Sequence, residues 1–493
     1  MEEKQDSYRQ IFKATSLFGG VQVFNIIITI VRSKFIAILL GPVGMGIAGL
    51  LTTTTGLIGG LTNFGLGISA VKNVAAAHHT GDNTKISVVV GVIRRLVWIT
   101  GFLGAIATII LSPWLSQITF GNHKYTLAFI WISVTLLLNQ ISTGQNVILR
   151  GTRQLKYMAQ ASLLGSIFGL IISVPIYYFF GIDGIVPAII ITSVASLMLT
   201  WYFSSKVKID RTKITRETIV NEGKGMLTMG FMLSISGLIP MGTSYLIRIF
   251  ISNTGGVDQV GLFSAGFAMI NTYVGMIFTA MSVDYYPRLA GVAHDNKKCS
   301  ELINQQGEIA ILILAPILTV FIVFIQYVII LLYSNRFVAV NNMIQWAALG
   351  MYFKTASWAI AFILLAKGAS SLFFWNELIA EIYILGLNII GYKMAGLDGL
   401  GISFLAGYIV YTIQVYLLAG HKYDFSFQSD FLRLFTIQLL FGLLCFITIR
   451  FLPTPWSFIP GGIIIIFSTL LSFKEMNKRL DLKTIWINIK GRF

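Results

Sequence analysis

The sequence predicts an all-α polytopic membrane protein of about fourteen transmembrane helices, arranged as two pseudo-symmetric six-helix lobes plus two C-terminal helices. Three observations lead there. Hydrophobic residues make up 55% of the chain and charged residues only 11%, with a mean hydropathy of +0.78, whereas a soluble domain carries roughly a quarter charged residues. Apolar runs of about 20 residues, each able to cross the roughly 30 Å hydrocarbon core, follow one another along nearly the whole chain. Finally, landmarks recur in the same order. Ala70-Val71-Lys72-Asn73-Val74-Ala75-Ala76-Ala77-His78 is echoed by Tyr286-Pro287-Arg288-Leu289-Ala290-Gly291-Val292-Ala293-His294, and Leu149-Arg150-Gly151-Thr152 by Ala366-Lys367-Gly368-Ala369. The turn Gly181-Ile182-Asp183-Gly184-Ile185 returns as Gly396-Leu397-Asp398-Gly399-Leu400. Duplicated membrane halves enclose a substrate path that opens alternately to each side, so the pattern points to a transporter.

Taken in order, residues 1–13 are polar, and the apolar segment behind them is too long for a signal-peptide core and lacks a small-residue cleavage site. It reads as the first span. Spans are expected at 14–40, 43–69, 87–111, 126–149, 157–180 and 185–203, which make an N-terminal lobe over 1–203. A basic cytoplasmic linker follows at 204–225. The second lobe, 226–420, takes spans 226–251, 261–283, 307–332, 344–366, 371–393 and 400–420. Residues 421–493 add two spans, 432–450 and 461–473, and a basic tail whose Leu482, Ile485, Trp486 and Ile489 suit an interfacial amphipathic helix. An even number of spans per copy makes the repeat parallel.

Basic residues set the orientation. With both termini cytoplasmic, 26 of the 36 lysines and arginines fall on the inner side, as the positive-inside rule requires of short loops. The net charge of +16 therefore reflects topology and contact with anionic membrane lipid, not nucleic-acid binding. Cys299 and Cys445 lie far apart and suggest neither a disulfide framework nor a metal site. There is no nucleophile–base pair, no phosphate-binding glycine loop and no metal-ligand spacing, so neither an enzyme nor a cofactor is implied. No predicted outer loop exceeds about fourteen residues, which argues against a membrane glycan polymerase.

Charges inside spans carry the mechanism, because each costs at least about 2.5–3.5 kcal/mol at mid-bilayer. Arg94 and Arg95 also fall within a span. Lys354 sits about ten residues from either end of its span, either as a cavity lysine attracting an anion or as the partner of an acid on a neighbouring helix. Arg32 and Arg248 occupy the matching first helix of each copy, and guanidinium groups suit phosphate because they bind it in bidentate fashion. Arg248 is close enough to the outer loop to snorkel. Lys34, about 200° round the helix from Arg32, cannot share a narrow lumen with it. Glu377 and Glu381, one turn apart, either couple transport to a proton or sodium ion or pair with a nearby base. Asn139, Gln140, Gln145 and Asn146 either line a hydrophilic path or hydrogen-bond between helices. Asp284, Asp183, Asp398 and the pair His78-His79 read as solvated ends and turns.

Beyond these readings, the chain resembles the multidrug/oligosaccharidyl-lipid/polysaccharide exporter superfamily, and within it the Wzx-type flippases. The resemblance is carried by Lys13-Ala14-Thr15-Ser16-Leu17, Leu40-Gly41-Pro42-Val43-Gly44-Met45-Gly46, Ser334-Asn335-Arg336-Phe337, Phe353-Lys354-Thr355, Ala366-Lys367-Gly368-Ala369-Ser370, Glu377 and Ala395-Gly396-Leu397-Asp398-Gly399. It implies a MATE-like fold in a bacterial inner membrane and a flippase of undecaprenyl-diphosphate-linked oligosaccharide, such as an O-antigen repeat unit. Arg32, Arg248 and Lys354 would then engage the diphosphate or acidic sugars, and Glu377 would serve coupling. A surface-glycan polymerase is the partner such a role implies. A cation antiporter of the same superfamily is the nearest rival, although its cargo calls for acids where this chain has Lys354. A peptidoglycan-precursor flippase is the next.

Overall fold

The computed structural model describes residues 2–80, 82–210, 212, 214–453 and 455–480. Lipid offers no partner for a backbone N–H or C=O, so a chain this apolar must satisfy them within helices. Every regular element among the described residues is helical. The helices are α1 (Glu2–Leu39), α2 (Gly41–Thr62), α3 (Leu66–His79), α4 (Asn83–Phe120), α5 (Thr126–Ile132), α6 (Val134–Gly151), α7 (Leu155–Phe180) and α8 (Ile185–Ser205). They continue with α9 (Arg216–Gly255), α10 (Val257–Phe267), α11 (Met276–Gly291), α12 (Asn296–Leu332), α13 (Asn341–Ala366), α14 (Ser370–Tyr423), α15 (Ser429–Phe451) and α16 (Phe458–Leu480). The tail beyond 480, expected to be amphipathic, lies outside the described residues.

Among the described residues, eleven stretches are long and apolar enough to cross a membrane, and as many as twelve if α9, bent by 57° between Met232 and Gly237, is one span. Two of these, Leu155–Ser205 and Ser370–Tyr423, are hairpins that each cross twice. The expected fourteen spans follow. At 38 residues α4 is far longer than one crossing needs. Arg94 and Arg95 are both exposed within its first half and within reach of the interface, which removes them from the list of deep charges.

The duplication is legible in the backbone, in a sharper register than the sequence landmarks give. Gly181 (φ 57°, ψ −132°) and Gly396 (φ 57°, ψ −134°) make the same hairpin turn in a region open only to glycine. A Cβ on Gly184 would collide with the carbonyl of Ile176, and one on Gly399 with that of Gly391. Upstream, Gln154 N–H donates to Leu149 O (2.8 Å) after a left-handed Arg153, while Ala369 N–H donates to Leu364 O (3.0 Å) after a left-handed Gly368. All of these pairs are 215 residues apart. Gly368 thus matches Arg153, not Gly151, which removes the two-residue mismatch between the copies. The earlier landmark slips by nearly a helical turn. Asp82 and Asp295 cap α4 and α12 in the same way, accepting from the N–H of Lys85 (3.3 Å) and Lys298 (3.1 Å), so the offset there is 213. The Lys298 N–H also holds the Asp295 carboxyl below the usual carboxylate range.

The chain forms two compact units. One is Met1–Gly261 with Leu332–Ser334; the other is Leu262–Leu331 with Asn335–Phe493. The contact boundary therefore falls later than the linker at 204–225, because α9 packs on α2, α3 and α4. Tyr245 on α9 hydrogen-bonds Thr119 (2.9 Å), and the Asn253 amide donates to Ile118 O (2.7 Å). Gly46 and Gly261 let α2 and α10 approach closely. A Cβ on Gly46 would meet Val257 O, and one on Gly261 would meet Pro42 O. These residues too pair at an offset of 215.

In the second unit α15 and α16 pack on each other through Gln438, which accepts from Ser468 (2.7 Å) and donates to Ser472 (2.9 Å). Arg479 fastens α16 to α12, donating to the buried Glu308 (2.6 Å) and to Glu475 (2.6 Å). Two carboxylates share one guanidinium there, with Lys478 (2.8 Å) completing the charge balance on Glu475.

Candidate functional site

Two sites take shape, one in each unit. In the first, α1, α6, α7 and α8 border an open cavity of about 530 Å³. Its walls follow from polar residues at helical spacing. Asn139 and Asn146 lie two turns apart on α6, Ser162 and Ser166 one turn apart on α7, and Ser193 and Ser196 on α8. The Asn25 amide on α1 bridges two of these hydroxyls, donating to Ser162 (2.8 Å) and accepting from Ser166 (2.7 Å). Arg32 enters beside Gly169, where a Cβ would stand 3.8 Å from its Nη1. The buried Nε of Arg32 has no hydrogen-bond partner. Arg150, at the other end, touches the Met158 sulfur at 3.4 Å. Among the described residues, no carboxylate lines this cavity.

The polar quartet of α6 divides between the two uses open to it. Asn139 and Asn146 face the cavity, whereas Gln145 accepts from Ser204 (2.5 Å) and Gln140 donates to Thr100 (2.9 Å). Gln140 also borders a neighbouring cavity of about 470 Å³, together with Asn139 and Asn63. Such interhelical bonds are each worth about 0.6 kcal/mol in a membrane.

In the second unit the Lys354 ammonium donates to Asn271 Oδ1 (2.7 Å) and lies 5.1 Å from the Tyr408 ring centre. Asn271 sits on a π-helical turn, Ala268–Val274, a distortion of the helix often associated with functional positions. The Glu381 charge acts on Lys354 across the helix pair. Glu377 accepts from the Tyr411 hydroxyl (2.5 Å) and from Asn376 (3.2 Å), and Gln414 donates to Asn376 Oδ1 (2.9 Å). This network ties the two limbs of α14 together. Lys367 donates to Asn296 (2.6 Å) and stands apart from it.

In the 215-residue register these are one site in two versions. Lys354, Glu377, Glu381, Tyr408 and Tyr411 correspond to Asn139, Ser162, Ser166, Ser193 and Ser196, and all five of the latter line the first cavity. Sequence reasoning singled out the charged members and Asn139, and missed the four serines, Tyr408 and Tyr411. The serines, at i, i+4 and i, i+3 in otherwise apolar helices, were the available signal.

Arg248 behaves differently from Arg32. It turns to Ser244 on its own helix, donating to that hydroxyl and to the carbonyl (3.3 Å). With Gly41 and Gly256 matched, both at positive φ, Arg32 corresponds to Ile247 and Arg248 to Ser33. One residue of offset is about 100° round a helix, so the two arginines do not occupy equivalent places. Asp284, expected at a solvated helix end, lies exposed in mid-helix because α11 continues to Gly291, and it pairs with Arg288 (3.1 Å); Asp398 accepts from Asn342 (3.0 Å).

Helical hairpins repeated in two lobes around polar intramembrane sites define a multispan exporter fold. It resembles the lipid II flippase MurJ in an inward closed conformation, with a TM-score of 0.70 over 94% of this chain and 99% of that one, at 13% identity. It also resembles an inward-facing multidrug resistance MATE family transporter of the MOP superfamily, with a TM-score of 0.67 over 81% of this chain and 94% of that one, at 16% identity. Residues 35–342 match the polysaccharide biosynthesis protein family, and the chain belongs to it. Among characterised relatives, the lipid III flippase of Escherichia coli (strain K12) is 22% identical over 388 residues, 77% of this chain and 90% of the relative. A Shigella flexneri protein provisionally named an O-antigen transporter is 25% identical over 62% of this chain and 72% of its own length.

Proposed function

We propose that this protein is a flippase that carries undecaprenyl-diphosphate-linked oligosaccharide from the cytoplasmic to the outer leaflet of a bacterial inner membrane, with both termini cytoplasmic. The observation that supports it most is a cavity between helices with two arginines and a wall of hydroxyls and amides, and no carboxylate among its described lining residues, in a chain of the polysaccharide biosynthesis family. Moving a diphosphate and its glycan through hydrocarbon strips water from charged and hydroxyl groups, at a cost of many kcal/mol. Fixed donors and acceptors replace that hydration. The same lining disfavours a cationic cargo.

Within this reading Arg32, Arg248 and Lys354 engage the anionic head of the substrate. Asn139 and Asn146 solvate its path, and Gln140 ties α6 to α4. Glu377 and Glu381 carry a proton or sodium ion whose gradient drives the cycle. A surface-glycan polymerase would take up the product. The reading is tested by mass spectrometry of lipid-linked oligosaccharides in cells lacking the protein. Accumulation of one undecaprenyl-diphosphate glycan, with loss of that glycan from the surface, is expected. A normal lipid-linked pool with an intact surface glycan would overturn it.

A further inference from the structure

The helix around Asn271 is not regular. Ala268–Val274 forms a π-helical turn between α10 and α11, and the Gly275 N–H donates to Ile270 O (3.1 Å), five residues back instead of four. Such winding changes the angle at which each side chain leaves the helix. It also crowds the backbone. A Cβ on Gly275 would collide with the carbonyl of Asn271, so this turn needs glycine there.

The Asn271 side chain presents its Oδ1 to the Lys354 ammonium (2.7 Å). The rings of Tyr408 and Phe404 lie 5.1 and 5.8 Å from the same nitrogen, within cation–π range. An ammonium has three donors, and a neutral amide oxygen takes one of them without cancelling the charge. A carboxylate at this position would make the same bond and neutralise the group. Glu381 on α14 attracts the same ammonium, and the bond to Asn271 competes with that attraction.

The first copy is built otherwise. Carried on from Gly46 and Gly261, the 215-residue register sets Gly56 against Asn271, as it sets Asn139 against Lys354. Gly56 has no side chain to accept a bond, and α2 is α-helical around it from Gly41 to Thr62. Lysine, amide and π turn thus occur together in the second copy, while the first has its own residues and winding at the same places. A shared scaffold does not call for the amide or the turn. They go with the lysine.

We infer that Asn271 is a positioning residue for Lys354: set by the π-helical turn that Gly275 permits, its carboxamide aims the ammonium while leaving its charge for an anion. The inference rests on the reading of Lys354 as a group that meets the anionic head of the substrate, and it adds the residues that hold Lys354 ready.

The test is calorimetric titration of the purified full-length protein in lipid nanodiscs with farnesyl diphosphate, a soluble prenyl diphosphate, with empty nanodiscs as the blank. Asn271→Leu should weaken binding about tenfold, the effect of losing one hydrogen bond to a charged group. Asn271→Gln, which keeps the acceptor, should recover part of the loss. Gly275→Ala touches neither group, yet should weaken binding to a similar extent by displacing the turn. In a Lys354→Ala background neither Asn271→Leu nor Gly275→Ala should cost anything further, whereas a merely structural role would weaken binding again. Unchanged affinity in Asn271→Leu and Gly275→Ala, or losses that add to that of Lys354→Ala, would overturn the positioning role and leave the reading of Lys354 intact. Unchanged affinity in Lys354→Ala, or no binding by the unaltered protein, would sink that reading and the positioning role with it.

Discussion

Asn139, Ser162, Ser166, Ser193 and Ser196 in the first lobe line an open cavity, whereas Lys354, Glu377, Glu381, Tyr408 and Tyr411 at the matching positions of the second lobe bring charged and phenolic groups that bond to their neighbours. The hairpins that present the two sets turn at glycines with nearly identical backbone angles. A duplicated scaffold thus fixes where side chains converge, while their size and charge decide what that place becomes. In one lobe it is a neutral-walled cavity with arginines at its ends. In the other it is a partly buried cluster of a base, two acids and two phenols.

The largest expected difference lies between Lys354→Ala and Asn139→Ala. The first removes the bond from a charged donor to Asn271, a loss of about 1.5–3 kcal/mol, and with it a positive charge that acts on Glu381. Export should cease and membrane abundance should fall, and Lys354→Ala with Glu381→Gln should recover abundance but not export. Asn139→Ala merely widens a cavity and should leave abundance near normal. Immunoblots of membranes alongside surface-glycan staining would decide it, and equal losses of abundance in the two single variants would break the comparison.

Next come the turns. Gly181→Ala and Gly396→Ala both force a side chain into a region that L-residues rarely adopt, at about 1–3 kcal/mol each. The two thermal-melting shifts should agree, because the two backbones do. A large shift in only one would mean that the scaffold is less symmetric in solution than its angles.

Tyr411→Phe deprives Glu377 of a short bond and should cost about 1.5–3 kcal/mol, as hydrogen bonds to charged groups do. Ser196→Ala, at the matching position, should stay within about 0.5 kcal/mol. Denaturation in detergent compares them, and similar losses would show that the first-lobe serine is structural. The smallest effect on stability belongs to Glu377→Gln, which preserves the acceptor for Tyr411. That variant should instead flatten the dependence of transport on an imposed proton or sodium gradient in vesicles. An unchanged dependence would take Glu377 out of coupling.

Much of this architecture was legible in the chain. Apolar length gave the spans, and the Gly-x-Asp-Gly turn gave the hairpins, because only glycine tolerates the angles at Gly181 and Gly396. Single-residue register was not. Gly151 and Gly368 look alike in sequence, yet Gly368 does the work of Arg153, since a left-handed backbone position can be filled by different residues when the surrounding hydrogen bonds hold it. A smaller slip, of one residue, made Arg32 and Arg248 look equivalent. Charged residues announced the second-lobe site, because a buried charge stands out against apolar sequence. The first-lobe site rests on serines, which are common in membrane helices for packing alone. Only their convergence in space marks them as a group. The share of α9 in the first compact unit was hidden for a related reason, since contacts such as Thr119 with Tyr245 join residues 126 positions apart.

The central claim is translocation itself. Purified protein can be reconstituted into liposomes holding a fluorescent undecaprenyl-diphosphate oligosaccharide, and the outer leaflet probed with a membrane-impermeant glycosidase. Protein-dependent exposure of the inner-leaflet pool, lost in Arg32→Gln and Lys354→Ala, is the predicted result. Liposomes that show no protein-dependent exposure of the glycan, yet expel a cationic dye against an ion gradient, would contradict the account and identify an antiporter.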